Sequence, residues 1–156
     1  MNKEIKSILH NLRQVNSGEP WFGRPVFVIL DEIDPAIVHK KPDENSHSLI
    51  ELLYHMLTWA EFALRRIEKK PEKDLAVLEK MDWRIIESTT HSWQKGLAEF
   101  KNVHQRINAL LEKKDDEFLK EMVDYRKYDF RFLLNGLMQH NIYHLGQVAY
   151  LKKLLS

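Results

Sequence analysis

Apolar positions recur at helical spacing over four long stretches of the chain and alternate at strand spacing over none. Ile5, Ile8, Leu9, Leu12 and Val15 share one helical face and Gly18 follows as a stop, which predicts a first helix from about Asn2 to Asn16. Ser48 and Glu51 ahead of an apolar run form a capping box, in which hydroxyl and carboxylate satisfy two free backbone donors. They predict a second helix from about Leu49 to Lys69, before Pro71. Trp93, Leu97, Phe100, His104, Ile107 and Leu111 advance by 4, 3, 4, 3, 4 and mark a third helix. In a last helix, about Asp129 to Leu155, the stripe Leu133, Leu137, His140, His144, Val148, Leu151 and Leu155 advances by 4, 3, 4, 4, 3, 4. Between these stretches lie a loop of large side chains, Glu19 to Arg24, and a short apolar segment, Pro25 to Ile33. A charged linker holding Met81-Asp82-Trp83 and a short amphipathic piece after Lys113-Lys114-Asp115-Asp116 complete the chain.

Four apolar stripes without strands or internal repeats predict an all-α fold, a four-helix bundle. The stretch from Gly18 to His47 is too long for a hairpin turn, so a crossover connection is expected between the first two long helices. All five prolines fall between Pro20 and Pro71, which leaves the second half free for long helices. At 156 residues the whole chain, 1–156, reads as a single domain with a core large enough to need neither disulfides nor a structural metal.

Composition narrows the function. There are 24 Lys+Arg against 23 Asp+Glu, spread evenly, so the sequence predicts no nucleic-acid partner, because phosphate-backbone binding calls for a clustered basic face. The N-terminal stretch lacks the apolar core of a signal peptide and no later stretch approaches 18 uncharged apolar residues. A cytoplasmic protein with no membrane partner is expected. The absence of cysteine removes catalytic thiols, Cys-ligated zinc and redox switches.

Eight histidines remain to be placed. His140 and His144 stand at i and i+4 on the core stripe of the last helix, where both imidazoles project from one face and can share an ion, the geometry of HExxH zinc sites. The alternative is a pair of buried, hydrogen-bonded histidines. A third ligand would come from another helix, and periodicity ranks His55 level with His104; His39, His47 and His91 fall at helix ends or in loops, and they and His10 are most simply solvated. Carboxylates compete less well, since Glu51 is used by its cap and Glu61 points to the polar side. Gly136 and Gly146 each cost roughly 1 kcal/mol inside a helix, which close approach by a neighbouring helix or a ligand would explain. Trp21 and Phe22 either line a pocket or cover the core. No phosphate loop, dinucleotide fingerprint or nucleophile elbow is present.

Gln139-His140-Asn141-Ile142-Tyr143-His144-Leu145-Gly146-Gln147 resembles the HxxYHxGQ signature near the C-terminus of the DinB/YfiT-like metalloenzyme family. Glu19-Pro20-Trp21-Phe22-Gly23, the run His47 to His55 opening the second helix, and Met81-Asp82-Trp83 match in the same order, so the similarity spans nearly the whole chain. The resemblance implies a four-helix bundle holding one divalent ion per chain on three histidines, one from the second helix and two from the last. Carried over, these are His55, His140 and His144, which separates His55 from His104. Relatives include S-transferases that act with bacillithiol or mycothiol and a mycothiol-dependent isomerase.

Three neutral imidazoles leave an open coordination position, as a catalytic site requires, where a thiol or water would have its pKa lowered. Nitrogen ligands suit zinc or nickel first, with cobalt and iron also compatible. The leading expectation is a metal-dependent thiol S-transferase acting on a small-molecule thiol and an electrophilic substrate. A metal-dependent hydrolase and a non-catalytic metal-binding helical protein are the alternatives. A homodimer is expected chiefly from the resemblance.

Overall fold

The computed structural model describes residues 2–156, and among these the regular structure is helical, with no strand beyond an isolated bridge between Met122 and Asp129. In chain order the helices are α1 (Lys3–Ser17), α2 (Val26–Asp31), α3 (Leu49–Ile67), α4 (Glu72–Lys80), α5 (Trp93–Leu111) and α6 (Phe130–Leu155). Single 3₁₀ turns occur at Pro35–Ile37 and Phe118–Lys120. No helix among the described residues is long and apolar enough to cross a membrane.

The long helices α1, α3, α5 and α6 form a four-helix bundle. α3 packs between α5 and α6, and α1 closes the other side against the same two helices, so the order around the bundle is α1, α6, α3, α5. α1 and α3 therefore sit diagonally, and the chain between them must cross the bundle, as the length of that segment predicts. On the way, the apolar segment after Pro25 forms α2, which packs on α1, α5 and α6 and buries Val26 and Leu30. The charged linker before Asp82 contains a helix that periodicity does not reveal. Only Leu75 and Leu78 of α4 are buried, against α3, and two apolar contacts in nine residues make no readable stripe.

Each long helix downstream starts on a side-chain cap. Ser48 Oγ accepts from the Glu51 amide at 3.3 Å while Glu51 Oε2 accepts from the Ser48 amide at 2.7 Å, the reciprocal box expected from sequence. Ser92 caps α5 through the Lys95 amide at 3.1 Å, and Asp129 caps α6 through the Phe132 amide at 2.8 Å. α3 is buried on nearly every face, which explains why its sequence, LIELLYHMLTWAEFALRRI, is apolar almost all round.

Glycine is required where α3 meets α5. A Cβ on Gly96 would lie 2.7 Å from the Tyr54 ring, whose hydroxyl donates to the Ser92 carbonyl at 3.0 Å. Gly136 and Gly146 are the opposite case. Nothing lies within 4 Å of where their Cβ atoms would be, so no neighbouring helix presses on either.

Candidate metal centre

His55 lies two turns into α3, facing α6, and His140 and His144 lie one turn apart on the face of α6 that packs against α3. Their imidazoles converge. His55 Nε2 stands 3.0 Å from His144 Nε2 and 3.1 Å from His140 Nε2, and one nitrogen from each of the three falls within 4.8 Å of the others. The three sequence candidates are thus brought together, with His55 and His144 buried and His140 half-buried. His104 is elsewhere. It is fully enclosed between Asn16 of α1 and Asn141 of α6, with Asn16 Nδ2 3.1 Å from its Nδ1 and Asn141 Nδ2 3.2 Å from its Nε2.

Protons decide what the cluster can hold. His55 Nδ1 donates to Asp82 Oδ1 at 2.6 Å and His144 Nδ1 donates to Gln147 Oε1 at 2.6 Å. Burial holds the pKa of both rings below the usual histidine value, and for His140 burial together with its two histidine neighbours pushes it down to about 3. All three are therefore neutral at pH 7, and each has one N–H. Since His55 and His144 spend theirs on outward bonds, their Nε2 atoms meet as two lone pairs with no proton between them. His140 can satisfy at most one more contact, and its Nδ1 is buried without a partner. Lone pairs converging at this spacing suit a shared cation, because nitrogens at ~2.0–2.1 Å from one tetrahedral ion lie about 3.3–3.4 Å apart, a few tenths of an ångström beyond the contacts seen here. The group can bind a metal ion; its donors are nitrogen only.

The residues that aim the imidazoles are less visible in sequence. Asp82 accepts from His55 and also from Trp59 Nε1 at 3.2 Å, which fixes the ring orientation at one end. Trp83 has φ of 47°, a left-handed conformation that costs a non-glycine residue roughly 1–2 kcal/mol. That turn carries its indole between two imidazoles, stacked on His47 at 3.7 Å and on His55 at 3.8 Å between ring centres. Arg84 pins the same turn to α3 through Thr58 Oγ1 at 2.6 Å and the Met81 carbonyl at 3.3 Å. Gln147 stands three residues after His144, a helical spacing that brings the two side chains together, whereas Asp82 lies 27 residues from His55 and no spacing rule connects them.

Asp82→Ala is expected to weaken divalent-ion binding by ~10–100-fold, the usual cost of losing a partner that orients a ligand histidine. Competition against a chromogenic chelator measures this, and unchanged affinity would remove Asp82 from the site.

The helical bundle gathers three imidazoles from two of its helices around one point in its core, a group that could hold a metal ion. The chain belongs to the DinB superfamily, whose family model matches residues 26–148. No curated protein matches its sequence. Among solved structures, it is similar to the colibactin self-resistance protein ClbS in complex with a double-stranded DNA, at 19% identity and a TM-score of 0.70 over 97% of each chain. It is also similar to the DinB-like protein YjoA from Bacillus subtilis, at 24% identity and a TM-score of 0.63, covering 97% of this chain and 91% of that one. At these identities the likeness is one of fold. It nevertheless corrects one expectation: evenly spread charge gives no ground for excluding nucleic acid, because a protein of this fold is found on DNA. A second correction concerns Trp21 and Phe22, which are exposed and do not line the groove beside His140, so they neither cover the core nor shape that groove.

Proposed function

We propose that the protein is a divalent-metal-dependent thiol S-transferase in which His55, His140 and His144 hold the ion, zinc or nickel before cobalt or iron. The observation that carries this reading is the meeting of unprotonated Nε2 atoms of His55 and His144 at 3.0 Å, an arrangement that three neutral imidazoles do not satisfy by themselves. A divalent ion bound there supplies positive charge that lowers the pKa of a thiol reaching the open side. Asp82 and Gln147 hold the two rings in the tautomer that leaves Nε2 free. Half-buried His140 forms the accessible side of the cluster. Because the chain has no cysteine, sulfur comes from a cosubstrate. In the transfer a sulfur lone pair forms the C–S bond, the leaving group departs with the electrons of its bond to carbon, and the thiol proton passes to solvent.

The test is conjugation of low-molecular-weight thiols, bacillithiol among them, to a benzylic halide by metal-loaded protein. The expected result is a rate that saturates in thiol, requires each of the three histidines, and varies less between about pH 7 and 9 than the uncatalysed reaction, since a free thiol of pKa about 8.5 is only partly ionised there. The uncatalysed rate with every thiol, together with histidine-dependent hydrolysis of an ester or amide, would replace this reading by a hydrolase. Inactivity in both assays with a full complement of metal would favour a binding protein.

A further inference from the structure

An apolar groove lies beside the histidine cluster, with His140 among its lining residues. One wall is the pair Trp59 and Phe62 on α3, with ring centres 5.3 Å apart. The other is Tyr128 and Phe132 at the start of α6, 5.1 Å apart. α6 also contributes Leu133, Gly136 and Leu137, and none of the lining side chains is an acid, a lysine or an arginine. The volume is about 190 Å³. A cavity of about 150 Å³ holds benzene in another protein, so this one has room for a single six-membered ring with a small substituent.

Gly136 shows what the groove is for. Glycine inside a helix costs about 1 kcal/mol against alanine, and the usual compensation, a helix or ring pressed against the backbone, is absent here because nothing lies within 4 Å of its missing Cβ. What the missing side chain leaves is open space in the lining of the groove. Gly96 differs, because the Tyr54 ring fills that position, and Gly146 has the same open space but lies outside the groove, so it is the place of Gly136 in the groove lining that gives its open space a use.

Resting on the transferase reading above, we propose that this groove seats the aromatic ring of the electrophile and holds its reactive carbon at the His140 end, which makes Gly136 a specificity-determining residue. The ring belongs to the electrophile rather than the thiol. Low-molecular-weight cellular thiols carry carboxylates, amines or sugar hydroxyls, and an uncharged aromatic lining disfavours burying such groups without partners. The aromatic walls match an aryl substituent through edge-to-face and stacked contacts.

The experiment uses toluene, which has the ring and no reactive centre, titrated into the metal-free full-length protein and followed by ligand-observed NMR and by tryptophan fluorescence. Saturable binding to the wild type is expected, with affinity at least about tenfold lower in Gly136→Leu, whose side chain occupies that space. Leucine is a better helix former than glycine and meets no neighbour at its Cβ, so the variant should keep its helical circular dichroism and its melting temperature. Phe132→Ala, which truncates an exposed wall residue, should weaken toluene severalfold without touching the core. Absence of saturable toluene binding by the wild type, or equal affinity in Gly136→Leu, overturns the assignment whatever the conjugation assay shows. Toluene binding that Gly136→Leu blocks upholds the groove even if no thiol is transferred, in which case only the transferase reading fails.

Discussion

Replacing any one of His55, His140 and His144 by alanine is expected to weaken divalent-ion binding by more than about a hundredfold, since loss of a residue that merely orients a ligand already costs ~10–100-fold. The three effects should be similar. Each ring contributes one Nε2 to a cluster spanned by contacts of 3.0 and 3.1 Å, and none has a neighbour placed to substitute for it. His47 is the nearest histidine outside the cluster by stacking, but Trp83 lies between it and His55. His104→Ala should behave differently, with metal affinity retained and stability reduced by about 1–3 kcal/mol, because the buried amides of Asn16 and Asn141 lose a partner. Calorimetric titration of purified variants, with melting curves in parallel, distinguishes the two kinds of effect. If His104→Ala abolished ion binding while His55→Ala kept it, the site would have to be rebuilt around α5.

The second large effect is on stability against pH. Burial pushes the His104 pKa down to about 4 from its ordinary 6.5, so the folded protein keeps this ring neutral where the unfolded chain protonates it. With the folded pKa below the unfolded one, the stability associated with a neutral His104 is complete above about pH 6.5 and is lost as pH falls through 4. Each tenfold change in proton affinity is worth about 1.36 kcal/mol, so the loss between pH 7 and pH 4 amounts to about 3 kcal/mol. Urea denaturation of wild type and His104→Gln at a series of pH values measures it. The glutamine variant should show a shallower decline over that interval, and identical slopes would mean that the ring already titrates normally in the folded protein.

The long helices were legible because their apolar stripes coincide with the buried faces. Leu133, Leu137, Val148 and Leu151 of α6 are buried where the spacing places them, and His140 and His144 interrupt that stripe. Periodicity did not make the choice between His55 and His104 legible; only the family resemblance separated them. Both occupy buried faces of their own helices, and what separates them is their direction around the bundle axis, which depends on how all four helices pack. Asn141 escaped notice for a related reason: α6 is covered on a second side by α1 and α2, so a polar residue off the stripe can still be fully enclosed. The Asp82–Trp83 turn combines a left-handed backbone, an indole sandwich and a bond to a residue two helical segments away, none of which follows from periodicity or propensity. Its motif could be matched by resemblance, but its role could not.

His140 and Asn141 are consecutive, so they leave α6 about 100° apart around its axis and reach different neighbours on the same turn. One faces α3 across the imidazole cluster; the other grips α1 and α5 through Asn16 and His104. A helix held by Asn141 on one side cannot roll about its own axis, and so cannot turn His140 away from the cluster, without breaking those bonds. The rotational freedom that an incoming ion would otherwise have to freeze out is already gone when the chain has folded.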